Sequence, residues 1–142
     1  MVNREKRDTA RALIRGLASG DLTNEDFENE YPRDSTDRAL RAIYQRLWFY
    51  WDDLKTHKLT DRYALSEDAA KLFSRSSAFL ATDLEYEWPS VGPSALLIVL
   101  RILGLRAAAK SRERHELEQL YSLGDFDSWP FLRTLESDQT KP

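Results

Sequence analysis

The sequence predicts an all-α protein, a single-domain helical bundle of four main helices with one or two short ones. Two observations lead to this prediction: apolar residues recur at helical spacing in successive segments, and helix-capping residues stand at the boundaries of those segments. The chain has 142 residues, 42% of them hydrophobic, which is enough to form one core. We therefore expect a single domain over residues 1–142, with a frayed tail at 137–142.

The first two predicted helices have recognisable ends. Apolar residues recur at helical spacing through residues 3–19, and Gly20 follows where a C-terminal cap is expected. Thr23 and Asp26 then stand three residues apart, as in a capping box. This spacing predicts a short second helix that ends before Pro32.

The third predicted helix is the longest. A cap at Asp34 or Ser35 precedes apolar residues that keep a helical period of about 3.6 residues. We therefore expect one helix from Ser35 to Lys55 at the centre of the core. The run "LWFYW", residues 47–51, places aromatic side chains around much of the circumference, so the helix should contact several neighbours.

The same aromatic run has an alternative interpretation. Together with Arg38, Arg41 and Arg46, it would form a stacking platform with phosphate contacts, as in proteins that bind single-stranded nucleic acid. Asp52 and Asp53 follow directly and would repel phosphate. We therefore favour a core helix with a solvated arginine face.

The fourth predicted helix begins at Ser66 and runs into the stretch "DLEYEWP", residues 83–89. This stretch also fits a short strand, with its acids on one side and Leu84, Tyr86 and Trp88 on the other. Because the helical register continues from upstream, we expect the helix to extend to Trp88.

The most apolar segment, residues 94–105, predicts a buried helix that begins at Ser94. It is shorter than the roughly 20 residues of a membrane span, and Arg101 interrupts it. A last short helix is expected to begin at Ser128, with Pro130 in its first turn. The predicted core residues are Leu13, Leu40, Ile43, Leu47, Trp51, Phe73, Leu80, Leu84, Leu97, Leu100 and Leu103.

Composition excludes several kinds of site. The chain has no cysteine, which excludes disulfides, thiol nucleophiles and cysteine-bound zinc. Its net charge of -3 does not favour a dedicated nucleic-acid binder. The charged beginning "MVNREKR" lacks the apolar core of a signal peptide, so we expect a cytoplasmic protein.

Two stretches combine acids with a tryptophan and a proline: "DLEYEWP" and "GDFDSWP". In one interpretation they form an exposed surface on which the tryptophans anchor a partner and the acids select a basic one. In the other interpretation, which we favour for the two tryptophans, both of their side chains lie in the core and the acids are solvated. The candidate partner surface comprises Trp88, Trp129, Asp83, Glu85, Glu87, Asp125 and Asp127.

Two further functions are alternatives. The acids of the two tryptophan-proline stretches, if they meet in space, would suit a carboxylate- or metal-dependent hydrolase. A basic segment, diluted by nearby glutamates, would bind nucleic acid or a membrane surface. This alternative basic surface comprises Arg101, Arg106, Lys110, Arg112 and Arg114.

Enzyme motifs are not evident in the sequence. His57 and His115 stand beside no candidate nucleophile and in no metal-ligand spacing. The five glycines are scattered singly, so no phosphate-binding loop is formed. We therefore predict no catalytic residue, no metal and no cofactor.

Two parts of the sequence resemble known groups of proteins. Residues 13–31, "LIRGLASGDLTNEDFENEY", resemble the short helical oligomerisation modules of bacterial proteins, which implies self-association. The order of segments, with "DLEYEWP" in the middle and "GDFDSWPF" near the end, resembles a group of small uncharacterised bacterial proteins, a domain of unknown function. That resemblance implies a bacterial cytosolic origin and no particular activity.

Abundant aromatic residues and the scarcity of catalytic motifs together favour a non-enzymatic protein-interaction module. The partner is expected to be an unidentified protein or a second copy of the chain. Binding to nucleic acid or to a membrane surface through the basic helix segments is the alternative.

Overall fold

The computed structural model describes residues 1–88, 103–104 and 127–132. The chain divides into two compact units, Met1–Tyr86 and Glu87–Pro142. The single domain over residues 1–142 stays a prediction.

The described residues are all-α, as the sequence predicts. They form four α-helices and two single turns of 3-10 helix, without a β-strand; an isolated bridge joins Thr23 and Lys58. The α-helices are α1 (Arg4–Ser19), α2 (Asn24–Glu30), α3 (Arg38–Leu47) and α4 (Glu67–Leu80), and the 3-10 turns are Trp48–Tyr50 and Asp61–Tyr63. Within this part of the chain, no helix is both long enough and apolar enough to cross a membrane.

The core of the first unit lies chiefly between α1 and α4, with α2 against α1 and α3 against α4. Seven predicted core residues are buried there: Leu13, Leu40, Ile43, Leu47, Trp51, Phe73 and Leu80. Leu84 is half-buried, and Leu97 and Leu100 lie outside the described residues. The prediction for Leu103 is wrong, since 65% of this residue is exposed in a turn beside Gly104.

The predicted ends of α1 and α2 are confirmed. Gly20 caps α1 in the left-handed conformation, with a φ of 81°. Thr23 and Asp26 form the capping box of α2: each side chain accepts a hydrogen bond from the backbone N–H of the other residue. Both ends depend on contacts within a few residues, which is why the sequence reveals them.

Helix α3 is shorter than predicted at both ends. Its N-cap is Asp37, while the Ser35 hydroxyl accepts a hydrogen bond from the Asp37 backbone N–H at 3.1 Å. The helix ends at Leu47, so the prediction of a helix to Lys55 is wrong. The chain leaves the helical path because Trp51 becomes extended and its indole N–H donates to Glu28 of α2 at 2.6 Å.

An aromatic cluster joins α2 to α3. The ring of Phe27 lies 5.0 Å from Tyr31, 6.2 Å from Tyr44 and 5.4 Å from Trp51, measured between centroids. The Tyr31 hydroxyl donates to the carbonyl of Leu40 at 3.1 Å, and burial raises the pKa of Tyr31. Trp51 therefore belongs to the core, as predicted, although it lies beyond the end of the helix.

Helix α4 begins as predicted, with the Ser66 hydroxyl accepting from the Ala69 N–H. It ends at Leu80, and residues 83–88 form neither a helix nor a strand, so the predicted extension to Trp88 is wrong. Arginines of α1 bind the carbonyls at this end: Arg4 donates to Leu80 and Thr82, and Arg7 to Thr82 and Leu84.

The side chain of Arg7 is fully buried against the N-cap of α3. Its Nε and one terminal nitrogen donate to the two carboxylate oxygens of Asp37, at 2.7 and 3.1 Å. Its other terminal nitrogen donates to the carbonyls of Thr82 and Leu84. Asp37 also accepts from the backbone N–H groups of Asn3 and Ala39. This ion pair therefore holds together α1, the first residues of α3 and the residues that follow α4.

A turn occupies residues 127–130 of the second unit, and its Trp129–Pro130 peptide bond is cis. The Phe131 N–H donates to the Ser128 carbonyl at 2.9 Å, and the Ser128 hydroxyl donates to the Phe131 carbonyl at 3.2 Å. A helix cap would accept from an N–H group instead. The predicted helix start at Ser128 is therefore wrong.

Replacing Asp37 with asparagine is expected to destabilise the protein by about 3–5 kcal/mol, because Arg7 would be left buried without a counter-charge. Urea denaturation followed by circular dichroism measures this loss. Asp34→Asn, a change at an exposed residue, is the matched control and should cost under about 0.5 kcal/mol. A loss for Asp37→Asn as small as that of the control would contradict the structural role of the pair.

The same pair predicts a pH dependence. Burial opposes the Asp37 carboxylate, but hydrogen bonds from Arg7 and from two backbone N–H groups outweigh it and hold the pKa of Asp37 below its usual 3.8. The stabilisation is therefore complete above pH 3.8 and is lost as the pH falls through the lower, folded-state pKa. We expect the difference in unfolding free energy between the wild type and Asp37→Asn to shrink in acid, and a pH-independent difference would argue otherwise.

Gly20→Ala should lower the unfolding free energy by more than the roughly 1–2 kcal/mol of left-handed strain. A β-carbon at this position would lie 2.6 Å from the Thr60 methyl group. Thermal denaturation should show partial rescue when Thr60→Ser removes that methyl. Gly104→Ala is the control, because Gly104 also has a positive φ but has nothing within 4 Å of the added carbon.

Candidate functional site

The tryptophans of the predicted partner surface are not exposed. Trp88 retains 1% of its accessible surface and Trp129 retains 8%. Their burial agrees with the interpretation that places both indoles in a core. The alternative prediction, that these two residues are exposed anchors for a partner, is wrong. A large apolar ring is stabilised most when it packs away from water.

The acids of that surface are exposed where the structure describes them. Asp83 lies 3.3 Å from Arg4, and Glu85 lies 3.2 Å from the N-terminal amine of Met1. Glu87 and Asp127 are also exposed, whereas Asp125 lies outside the described residues. Asp83 therefore contacts the first residue of α1, and Glu85 contacts the residue at the start of the chain.

The residues of the alternative basic surface, Arg101, Arg106, Lys110, Arg112 and Arg114, lie outside the described part of the chain. Helix α1 is also basic, with Arg4, Lys6, Arg7, Arg11 and Arg15, and its charges are partly engaged within the fold. Arg4 contacts Asp8 at 2.8 Å, and Arg7 is buried. On this helix Arg15 is exposed to solvent.

A different surface is apolar and exposed. It comprises the aromatic turn, which we define as Trp48, Phe49 and Tyr50, and Leu54. The exposed fractions are 40%, 76% and 36% for the three aromatic residues and 88% for Leu54. The described residues include six exposed large apolar residues, and four of them lie here, so the exposure is concentrated in one segment.

The aromatic turn is anchored by one of its rings. Tyr50 packs edge-to-face on Phe73 of α4, with 5.9 Å between ring centroids. Trp48 and Phe49 pack on each other at 5.7 Å, with a 69° angle between their ring planes. The turn is therefore held to α4 while the Phe49 ring remains in solvent.

Leu54 is presented by a loop, residues 52–57, that wraps around the buried side chain of Asn24. The Asn24 amide nitrogen donates to the carbonyls of Asp52 and Lys55, at 3.1 and 3.0 Å. Its amide oxygen accepts from the His57 backbone N–H at 2.8 Å, and the Asn24 backbone N–H donates to the His57 carbonyl at 3.0 Å. One side chain thus binds the loop on both sides of Leu54.

Further contacts close the loop. The Leu54 backbone N–H donates to the Asp52 carboxylate at 2.9 Å, and Thr56 donates to Glu25 of α2 at 2.6 Å. The His57 ring bonds the Lys55 carbonyl through Nδ1 at 2.7 Å and stacks on Tyr63. The loop therefore has a fixed shape, and its most exposed side chain is aliphatic.

The loop that presents Leu54 contains a histidine. His57 uses Nδ1 for the loop carbonyl, and its other ring nitrogen is buried with no hydrogen-bond partner in this part of the chain. Across residues 1–88, 103–104 and 127–132, no three acids or histidines converge to hold a metal ion. The candidate site is defined by the exposed apolar side chains of the aromatic turn and Leu54.

The surface differs from the one predicted for reasons visible in the structure. The helix predicted over residues 35–55 includes Trp48 and Leu54, but α3 ends at Leu47, and these two residues are 40% and 88% exposed. The sequence does not identify Asn24, because the partners of its side chain lie 28 to 33 residues away.

Comparison of the chain with protein-family models, with curated proteins and with solved structures finds no match. The two resemblances noted in the sequence therefore stay predictions.

Asn24→Ala should loosen the loop that presents Leu54. Because the His57 N–H loses its acceptor and two loop carbonyls lose their donor, we expect hydrogen exchange at the His57 amide to accelerate by about tenfold or more. Hydrogen-exchange mass spectrometry or NMR measures the change. Asn29→Ala, at an exposed position of the same helix, is the control. Unchanged protection in Asn24→Ala would show that other contacts hold the loop.

Proposed function

We propose that this chain is a non-enzymatic, cytoplasmic protein-interaction module that binds a partner through the aromatic turn and Leu54. The observation that carries the proposal is the concentration of exposed apolar side chains between residues 48 and 54. Single exposed apolar residues are common on soluble proteins, whereas clustered ones are typical of interaction sites.

The apolar side chains supply a driving force for association. Full burial of an exposed Phe or Leu side chain contributes about 1.5–3 kcal/mol to the free energy of association. Phe49 and Leu54 are 76% and 88% exposed, so most of that stabilisation is available to a partner. Trp48 adds a residue type that is frequent at binding hot spots.

The fixed shape of the segment supports the proposal as well. A flexible loop loses conformational entropy when it binds, and this loss weakens association. Asn24 already holds the loop around Leu54, and Phe73 already holds Tyr50. The surface therefore has little ordering left to undergo on binding.

The double variant Phe49→Ser, Leu54→Ser should lose its partner while keeping the fold, because both side chains are largely outside the core. Affinity capture from the cells that produce the protein identifies partners, and titration with the purified partner measures binding. We expect the affinity to fall by about a hundredfold or more. Leu103→Ser, which removes an exposed leucine of the second unit, is the matched control.

Circular dichroism verifies that all variants keep their helices. If a partner binds the double variant as tightly as the wild type, the aromatic turn and Leu54 are not its binding surface. A partner lost equally from Leu103→Ser would indicate nonspecific apolar adhesion.

A further inference from the structure

We draw no further inference here: the strongest candidate, the exposed apolar patch of the aromatic turn and Leu54 beyond the end of α3, belongs to the site already described, and nothing in the residues that the structure describes shows what covers it.

Discussion

The buried ion pair between Arg7 and Asp37 is the contact on which the first unit depends. Removing two charges from water is costly, and here the cost is offset because nearly every donor and acceptor of the pair finds a partner. The partners belong to three places: the start of α1, the start of α3 and the exit from α4. Apolar packing between α1 and α4 is not directional, whereas this network specifies where α3 begins and where α4 ends.

The candidate surface is built by the same kind of contact. Asn24 holds the loop around Leu54 as Arg7 holds the residues after α4, through carbonyls and N–H groups that no helix satisfies. In both places a buried polar side chain substitutes for regular secondary structure. The result around residues 48–54 is a segment that buries Trp51 and leaves the aromatic turn and Leu54 exposed.

The sequence predicts what local contacts determine. The end of α1 at Gly20, the capping box at Thr23 and the start of α4 at Ser66 each involve residues within a few positions, and all three are confirmed. The end of α3 depends on Trp51 reaching Glu28, and the end of α4 depends on arginines more than 70 residues away. Hydrophobic periodicity carries no information about such distant contacts, and it therefore predicts both helices too long. For the same reason it predicts a helix through the aromatic turn, which lies beyond the end of α3. Trp88 and Trp129 fit either a surface or a core in the sequence, because burial also depends on distant contacts.

The contacts of Arg7 also affect how the chain folds while the ribosome synthesises it. Arg7 leaves the ribosome early, but its carbonyl partners lie 75 and 77 residues later. Until they emerge, a nascent α1 has a guanidinium group without its native acceptors and an apolar face without α4. The first unit ends at Tyr86, two residues after the last of these acceptors. Its synthesis and the completion of its polar network therefore coincide, and a chain interrupted before residue 84 lacks the acceptors that orient its first helix.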